Sequence, residues 1–379
     1  MDLALWIEWI IKSFVLLLII LGGFAYLTLY ERRALARIQT RIGPNRAGPQ
    51  GLLQPIADAL KLVFKEELIP AQADKILFVL APILTVVTAM VLVAVIPLGP
   101  PLTLPFLNRT INLYIADINV GVLYLAAIAS LTVYGIVLAG WSSNNKYALL
   151  GGMRSSAQMI SYEVALALCF VIVILLGNSM SLVDIVNAQA GLWFVVLQPV
   201  GALVFIITTL AEINRAPFDM PEAEQELTAG YHTEYSGMKF ALFFMAEYEK
   251  MILVSLITAT LFFGGYRELW FLKDTFLSVD HFPLLGPVYL LIKVVALLFF
   301  MIWVRATWPR IRYDRLMAFG WKILLPLSIA LVLITAGGRL LADQFGPRWI
   351  WTIPAASLLA GLVAVAGVNI SLRKKVANA

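Results

Sequence analysis

The sequence contains a single cysteine, Cys169, among its 379 residues. One cysteine cannot form a disulfide bond within the chain, nor supply the thiolates of a multi-cysteine zinc site or an iron–sulfur cluster. The two histidines, His232 and His281, each lack a second histidine at ligand spacing. We therefore expect no redox metal of this kind in the chain, and we interpret both histidines as surface residues rather than metal ligands.

The 25 glycines lack the spacings of the common nucleotide-binding loops. No two of them are separated by a single residue, so the dinucleotide fingerprint G-x-G-x-x-G is absent, and the phosphate-binding sequence G-x-x-x-x-G-K-[ST] is absent as well. The chain therefore binds no nucleotide through either of these loops.

Charged residues are scarce at 13%, whereas 61% of the residues are hydrophobic and the mean hydropathy is +0.88. This composition lies outside that of water-soluble globular proteins. Apolar runs of about 20 residues are accommodated by the hydrocarbon core of a bilayer, which is about 30 Å thick. We predict an all-α polytopic membrane protein in which residues 1–379 form one integral membrane domain, because no internal repeat or linker divides the sequence.

Apolar runs that end at glycine, proline or charged residues predict about nine transmembrane helices. They lie near residues 9–30, 76–98, 118–140, 157–177, 193–212, 239–264, 287–305, 323–341 and 349–370. The first run leads into Glu31-Arg32-Arg33 without a small-residue cleavage pattern. We interpret it as a retained span that ends at these charges, not as a signal peptide.

A further helix, over residues 52–69, is predicted to be amphipathic and to lie in the membrane interface. Its apolar residues and its charged residues fall on different faces, and Pro55 stands near its start. Two interpretations remain open for this segment. It is either a simple anchor or an element that admits an amphiphile from the lipid.

Lysine and arginine indicate the orientation of the chain, because cytoplasmic loops are enriched in them. Under the predicted topology most of these residues fall on one side, in loops 31–75, 141–156, 212–238 and 305–322. We predict that these loops are cytoplasmic, that the N-terminus lies outside, and that the C-terminus is cytoplasmic if there are nine helices. We interpret the net charge of +5 as an orientation signal and not as a sign of nucleic-acid binding.

The cytoplasmic loop 212–238 carries an unusual concentration of acidic residues. They are Glu212, Asp219, Glu222, Glu224, Glu226 and Glu234. Carboxylates held close together raise one another's pKa, so some of them can hold protons near neutral pH. We favour proton handling over a solvated acidic surface, although the second interpretation stays open.

Ionisable residues also occur within the predicted spans, where each costs at least ~2.5–3.5 kcal/mol at the bilayer centre. They are Glu163, Glu247, Glu249, Lys250 and Lys293. Glu163, Glu212 and Glu247 lie on three different predicted helices that enter the membrane from the same side. They could therefore line a single polar path. The alternative for Glu247 is a packed ion pair with Lys250, three residues further on.

Five segments together resemble a known family. They are residues 41–46 (RIGPNR), 53–58 (LQPIAD), 151–163 (GGMRSSAQMISYE), the acidic loop from residue 211 to 227, and residues 309–314 (PRIRYD). Their order and sequence resemble the H-type membrane subunit of the proton-pumping NADH:quinone oxidoreductases, known as respiratory complex I. The resemblance extends from about residue 30 to 325.

The resemblance implies a subunit at the joint between the membrane arm and the peripheral arm, which walls a quinone tunnel and begins a path of carboxylates. The tunnel residues of the family correspond to Arg32, Arg41, Asp58, Arg154, Phe244 and Tyr248, and we add Ala59 beside Asp58. The carboxylate path corresponds to Glu163, Glu212, Asp219, Glu222, Glu224, Glu226, Glu234 and Glu247. Arg215 and Lys250 are the expected charge partners.

The resemblance also implies partners and a location. We expect no cofactor in this chain, quinone as the substrate, and NADH, FMN and iron–sulfur clusters in partner subunits. The expected partners are the quinone-site and terminal-cluster subunits of the peripheral arm, small and antiporter-like membrane subunits, and the lipid bilayer. The expected location is a prokaryotic plasma membrane.

One departure from the family is the ninth helix, at residues 349–370, because the common form has eight. Alternatives to the respiratory subunit are the homologous subunit of a membrane-bound hydrogenase or plastid-type dehydrogenase, and a self-contained proton-coupled secondary transporter. The segment Phe244–Tyr248 looks closer to the respiratory form. The paired broken helices of two related halves, typical of such transporters, do not occur in the sequence.

Overall fold

A computed structural model describes residues 3–104, 109–220, 229–273 and 275–377 of the chain. Most of these residues are helical, and the only sheet among them is one short hairpin. Its strands, β1 (Leu102–Leu104) and β2 (Arg109–Ile111), are antiparallel with Leu102 opposite Ile111. The prediction of an all-α polytopic membrane protein is confirmed.

The described residues form thirteen α-helices. They are α1 (Leu3–Ile38), α2 (Gln54–Val63), α3 (Lys75–Leu92), α4 (Gly121–Ser142), α5 (Lys146–Gly177), α6 (Leu182–Ala188), α7 (Phe194–Leu197), α8 (Pro199–Glu212), α9 (Gly237–Phe262), α10 (Leu285–Thr307), α11 (Tyr313–Phe319), α12 (Leu325–Phe345) and α13 (Thr352–Ala377). A π-helical turn, Gly320–Leu324, joins α11 to α12.

Each predicted transmembrane run coincides with helix, and seven helical stretches of the described chain are long and apolar enough to cross a bilayer. The two other runs fall short for different reasons. Helix α8 has only 14 residues, because Pro199 begins a new helix after a break at Gln198. Helix α9 has 26 residues but carries Glu247, Glu249 and Lys250, which reduce its apolar character. The predicted ninth helix is present as α13.

Local sequence explains where several helices begin and end. Asp74 caps α3 by accepting hydrogen bonds from the amides of Ile76 at 3.2 Å and Leu77 at 3.4 Å. Asn145 caps α5 through the amide of Tyr147 at 2.9 Å. Asn178 ends α5 in the left-handed conformation, with φ of 53°. The Asp74 and Asn145 side chains accept hydrogen bonds from backbone amides that lack a partner in the first turn of a helix. The left-handed conformation of Asn178 ends its helix.

The helices pack into a bundle in which α3, α4, α5, α8 and α9 lie side by side. Phe78, Tyr162, Phe205 and Phe262 are among the largest fully buried side chains of this bundle. Cys169 is also completely buried, in α5. Helices α1 and α10 flank α9 at the edge of the bundle, while α12 and α13 pack on α5 and α8.

The amphipathic helix is shorter than the predicted range 52–69, because α2 ends at Val63. Contacts with the start of α9 explain the early end. The amide of Leu68 donates to Ser236 Oγ at 3.1 Å, and Lys239 forms an ion pair with Glu67. Residues after Val63 therefore leave the helix to run along the N-terminal end of α9, an interaction that no periodicity in the segment itself indicates.

His232 is buried, so its interpretation as a surface residue was wrong, whereas His281 is exposed as expected. The His232 ring packs among Tyr231, Phe240 and Phe243, with centroid separations of 3.8, 5.7 and 5.4 Å. Burial lowers the pKa of His232 to about 3, so the imidazole is neutral at pH 7. The residue belongs to an aromatic cluster that fastens the loop before α9 onto the bundle.

The same loop approaches α5 very closely at Gly151. A Cβ atom added at Gly151 would lie 2.6 Å from Gly230 Cα, a separation at which one of the two backbones must shift. Gly337, in the middle of α12, has no atom within 4 Å of the corresponding position. The two glycines therefore offer a matched comparison between a close contact and open space.

We predict that Gly151→Ala destabilises the protein by about 1–3 kcal/mol, the usual cost of overpacking. Gly337→Ala should be neutral or slightly stabilising, because alanine has the higher helix propensity by about 1 kcal/mol. Thermal unfolding of the detergent-solubilised protein measures both. Equal shifts in the two variants would contradict the close packing of α5 on residue 230.

Candidate functional site: a buried charge cluster

A buried arginine lies at the centre of the ionisable residues. Arg215, in the turn after α8, donates from Nε to Glu247 Oε1 at 2.6 Å. Its Nη1 lies 2.7 Å from both oxygens of Glu31, on α1. Arg305, near the end of α10, also donates to Glu31. One cluster of four charged groups therefore joins α1, α9, α10 and the turn after α8.

The cluster is strongly desolvated, since Glu31 is 1% exposed and Arg215 is 6% exposed. Buried ions are tolerated only when they are paired and hydrogen-bonded. Burial disfavours the charged form of Arg215, but the attraction of Glu247 and Glu31 outweighs it and raises the pKa of the guanidinium. Arg215 is therefore a permanent positive charge that two carboxylates share.

Aromatic rings border the cluster on one side. The Arg215 guanidinium lies over the ring of Tyr248, 4.2 Å from its centroid, in a cation–π contact. Phe244 packs against Tyr248 at 4.7 Å, and Phe24 of α1 contacts it edge-on at 6.2 Å. The predicted tunnel residues Phe244 and Tyr248 thus lie directly beside the charged cluster.

A second set of ionisable residues lies deeper, between α4, α5, α8 and α9. Glu212 interacts electrostatically with Lys250 and Glu163, and Lys250 also interacts with Glu247. Ser130 of α4 donates a hydrogen bond to Glu163. A small cavity of about 30 Å³ is lined partly by Thr132, Glu212 and Lys250. This volume is sufficient for about one water molecule.

The two sets answer the question left open for Glu247. Its hydrogen-bonded ion-pair partner is Arg215, at 2.6 Å, and not Lys250. Lys250 instead lies where it can interact with both Glu247 and Glu212. The structure thus brings the three predicted glutamates into one series of interactions, with Lys250 between Glu247 and Glu212.

Two other ionisable residues of the spans have different surroundings. Lys293 donates to the carbonyl oxygens of Phe263, Gly265 and Arg267 at 2.7, 2.8 and 2.6 Å, and so ties α10 to the turn after α9. Lys293 is therefore a structural residue. Glu249, by contrast, is fully buried, and neither of its carboxyl oxygens has a hydrogen-bond partner in the described part of the chain.

The predicted tunnel residues outside α9 divide into separate contacts. Arg32 pairs with Asp58 of α2 at 2.6 Å, and Gln54 also donates to Asp58, at 3.1 Å. Ala59 is exposed beside this pair. Arg41 is exposed and donates to Gln39 Oε1 at 2.9 Å.

Arg154, on α5, lies over the Tyr313 ring at 5.9 Å. Neither this contact nor that of Arg41 joins the Arg215 cluster. Arg32 links two elements near the cluster, since it is adjacent to Glu31 and holds α2 against α1.

The acidic loop is only partly described. Glu222, Glu224 and Glu226 lie outside the described residues. Glu234 accepts a hydrogen bond from Asn145 at 2.6 Å, and the Asp219 carbonyl oxygen accepts one from Arg310. These two residues of the loop thus contact different elements, and the collective proton handling of its acids stays a prediction.

Sequence reasoning missed Glu31 and Arg305 as site residues. Glu31 was interpreted as part of a charged end of the first span, but α1 continues to Ile38. Within a continuous helix, adjacent residues point about 100° apart. Glu31 therefore faces the bundle while Arg32 faces α2. The sequence did offer a signal that the helix continues past Glu31, because no helix-breaking residue follows closely on Glu31, Arg32 and Arg33.

Comparison with known proteins agrees with these features. The family model described as NADH dehydrogenase matches residues 11–336. A relative from Syntrophobacter fumaroxidans, named as an H-type NADH-quinone oxidoreductase subunit, is 50% identical over 327 residues, which cover 86% of this chain and 94% of that protein. An H-type subunit of the same enzyme from Geobacter sulfurreducens is 49% identical over 340 residues, covering 87% and 94%. The H-type subunit from Thermomicrobium roseum is 48% identical over 338 residues, covering 86% and 95%.

The chain belongs to the NADH dehydrogenase family. It is a membrane subunit of the multisubunit NADH:quinone oxidoreductase, so its partners are other subunits of that complex. The alternative of a self-contained transporter is therefore wrong. The family match ends at residue 336, which leaves α13 beyond it, as expected for an additional helix at the C-terminal side.

The shared arginine makes a prediction about stability. Arg215→Met removes the cation shared by Glu31 and Glu247 and leaves Glu31 with Arg305 alone, which should destabilise the protein by up to about 3–5 kcal/mol. The control is Arg339→Met, because Arg339 Nε lies 3.9 Å from Asp343 Oδ1 in an exposed pair. The control should change stability by less than about 1 kcal/mol.

Thermal unfolding and the amount of subunit in the membrane measure both variants. Neutralising the carboxylates as well, with Glu31→Gln and Glu247→Gln, should restore part of the stability lost in Arg215→Met. If the triple variant is no more stable than Arg215→Met alone, the loss does not arise from uncompensated charge.

Proposed function

We propose that this chain walls the chamber where quinone is reduced and couples that reduction to proton translocation. The single observation that carries the proposal is the series of ionisable groups that begins at the Tyr248 ring and runs into the helix bundle. Its members in order are Glu31, Arg215, Glu247, Lys250, Glu212 and Glu163. Such residues are rare inside membrane proteins and typically mark proton or substrate paths.

The aromatic border of the cluster supports the quinone part of the proposal. Phe24, Phe244 and Tyr248 offer flat ring faces next to a buried guanidinium. A quinone head is a flat ring with two carbonyl oxygens that accept hydrogen bonds, so it suits stacking on these rings. Its electrons would come from clusters in partner subunits, since we propose no flavin, cluster or nucleotide site in this chain.

The short helix α2 supports a lateral entry for the quinone from the bilayer. Its apolar residues Ile56, Leu60 and Val63 are more than half exposed. The Arg32–Asp58 ion pair holds α2 beside α1, and α2 also contacts α9. A long amphiphile can therefore pass from lipid to the aromatic cluster along an apolar surface without exposing its tail to water.

The shared arginine suggests how reduction becomes charge movement. Reduction of a quinone to a quinol consumes two electrons and two protons. A proton withdrawn from an acid near the cluster leaves a negative charge, and this charge competes with Glu31 and Glu247 for the Arg215 guanidinium. In a desolvated site this competition is strong. A proton drawn from the Glu212 and Glu163 side then restores neutrality.

The location and extent of the subunit belong to the same proposal. We place the chain in a prokaryotic plasma membrane, as one integral membrane domain with the N-terminus outside. The excess of lysine and arginine in the loops 31–75 and 305–322 supports this orientation. The quinone-site and cluster-bearing subunits would then dock on the cytoplasmic face.

The carboxylate series predicts the effect of removing titration without changing size. Glu163→Gln, Glu212→Gln and Glu247→Gln should each lower the ratio of protons pumped to electrons transferred, while the complex remains assembled. Glu8→Gln is the matched control, because Glu8 also lies in a membrane helix but pairs with Lys12 at 2.5 Å, near the opposite end of α1. Ratios are measured in vesicles that contain the whole complex. Wild-type ratios in all three variants would refute the carboxylate path.

The lateral entry predicts a selective defect. Ala59→Phe places a large ring beside Asp58 on α2 and should raise the apparent KM for long-tailed quinones more than for short, soluble ones. Ala57→Phe is the control, because Ala57 is also exposed but points about 200° away around the same helix. Steady-state kinetics with both quinone types provide the measurement. Equal effects on long-tailed and short quinones would leave α2 as an anchor only.

A further inference from the structure

An apolar groove of about 550 Å³ lies between α1, α9 and α10, at the edge of the bundle. Its lining is hydrocarbon except for two tyrosines of α1, Tyr26 and Tyr30. Typical lining residues are Gly23 on α1, Ile252 on α9 and Val294 on α10. Tyr26 is half exposed, and the neighbouring Ile19 is 59% exposed, so the groove is open along the surface of the bundle.

The groove is long. Along α1 it extends from Leu16 to Tyr30, a length of about 21 Å at 1.5 Å per residue. Its length and its hydrocarbon lining suit an extended hydrocarbon chain.

Positive charge continues the groove at its cytoplasmic end. Arg33 and Arg37 follow Tyr30 by three and seven residues in the same continuous helix, so they lie within about 60° of the Tyr30 direction. Arg37 is exposed, and Arg33 donates one hydrogen bond to the Gln50 carbonyl oxygen. Two guanidiniums and two phenols therefore stand where the head of a membrane lipid would lie.

The groove is separate from the aromatic cluster of the proposed quinone chamber. Phe24, which contacts Tyr248, points about 120° away from Tyr30 around α1. Arg32, which pairs with Asp58, lies on the far side of the helix from Arg37. Helix α1 therefore presents one face to the chamber and a different face to the groove.

We propose that this groove binds one acyl chain of an anionic phospholipid, with the phosphate group held by Arg33 and Arg37. The inference does not depend on the proposed quinone chamber or proton path. The hydrocarbon lining suits the acyl chain. The arginines select a negatively charged head over a zwitterionic one, since juxtamembrane basic residues attract anionic lipids.

The bound lipid has a structural consequence. The groove lies between α1 and α10, and the same two helices carry Glu31 and Arg305. An acyl chain in the groove packs against both helices. It thereby supports the geometry in which Arg305 reaches Glu31.

The test uses the whole purified complex in nanodiscs with a trace of photoactivatable phosphatidylglycerol that carries its reactive group on the acyl chain. We expect crosslinks to residues 16–30 and 287–298, and about fivefold fewer with the matching phosphatidylcholine probe. Arg37→Gln should reduce the phosphatidylglycerol labelling about fivefold. Arg46→Gln, an exposed arginine in the same predicted cytoplasmic segment but outside α1, is the control and should not change it.

Filling the groove gives an independent measurement. Ile19→Trp and Val295→Trp enlarge partly exposed lining residues and should abolish labelling, whereas Leu333→Trp, exposed on α12, should leave it unchanged. Equal labelling by the two lipids would overturn the anionic head. Displacement of the label by long-tailed quinone would assign the groove to the quinone tail, and labelling only after partner subunits are removed would assign it to a subunit interface. Either result would overturn the proposal.

Discussion

The arrangement of this subunit depends on one buried guanidinium shared by two carboxylates. Arg215 reaches Glu31 on α1 and Glu247 on α9, and Arg305 adds a second cation from α10. An unpaired charge in such a place would be costly by several kcal/mol, so these elements are held in mutual register by charge as well as by apolar packing. Because the membrane removes most of the hydrophobic advantage of helix association, polar contacts of this kind carry more of the specificity.

Because two carboxylates share the Arg215 guanidinium, the cluster can respond to a change of protonation nearby. One cation between two carboxylates has more than one favourable arrangement, and the balance changes when a nearby group gains or loses a proton. Tyr248 lies against the same guanidinium, while Lys250, one turn along α9 from Glu247, faces Glu212. The groups beside the aromatic rings and the ionisable groups deeper in the bundle are thus linked through charges on a single helix.

Helix α1 illustrates how a peripheral element can serve several environments at once. Its Phe24 faces the aromatic cluster, Glu31 faces the buried arginine, and Arg32 faces α2. Phe24 and Glu31, seven residues apart, share one face of the helix, and a third direction, around Tyr30, faces the open groove. The helix extends to Ile38 well past its apolar run, and this extension orients each charge separately. If α1 had ended at Glu31, the helix would not fix Glu31 and Arg32 in different directions.

The sequence by itself determined the membrane class, the positions of the helices, the family, and the acidic residues of the spans, because long apolar runs, isolated charges and contiguous motifs are local properties of the chain. Only the tertiary structure decided which partner each charge has. Glu247 pairs with Arg215 instead of Lys250, Glu31 becomes a central residue, and His232 enters an aromatic core. The early end of α2 has the same origin, since contacts with the start of α9 compete with its helical hydrogen bonds. Such pairings join residues tens to hundreds of positions apart, and the periodicity of a single segment carries no information about the face that another segment presents.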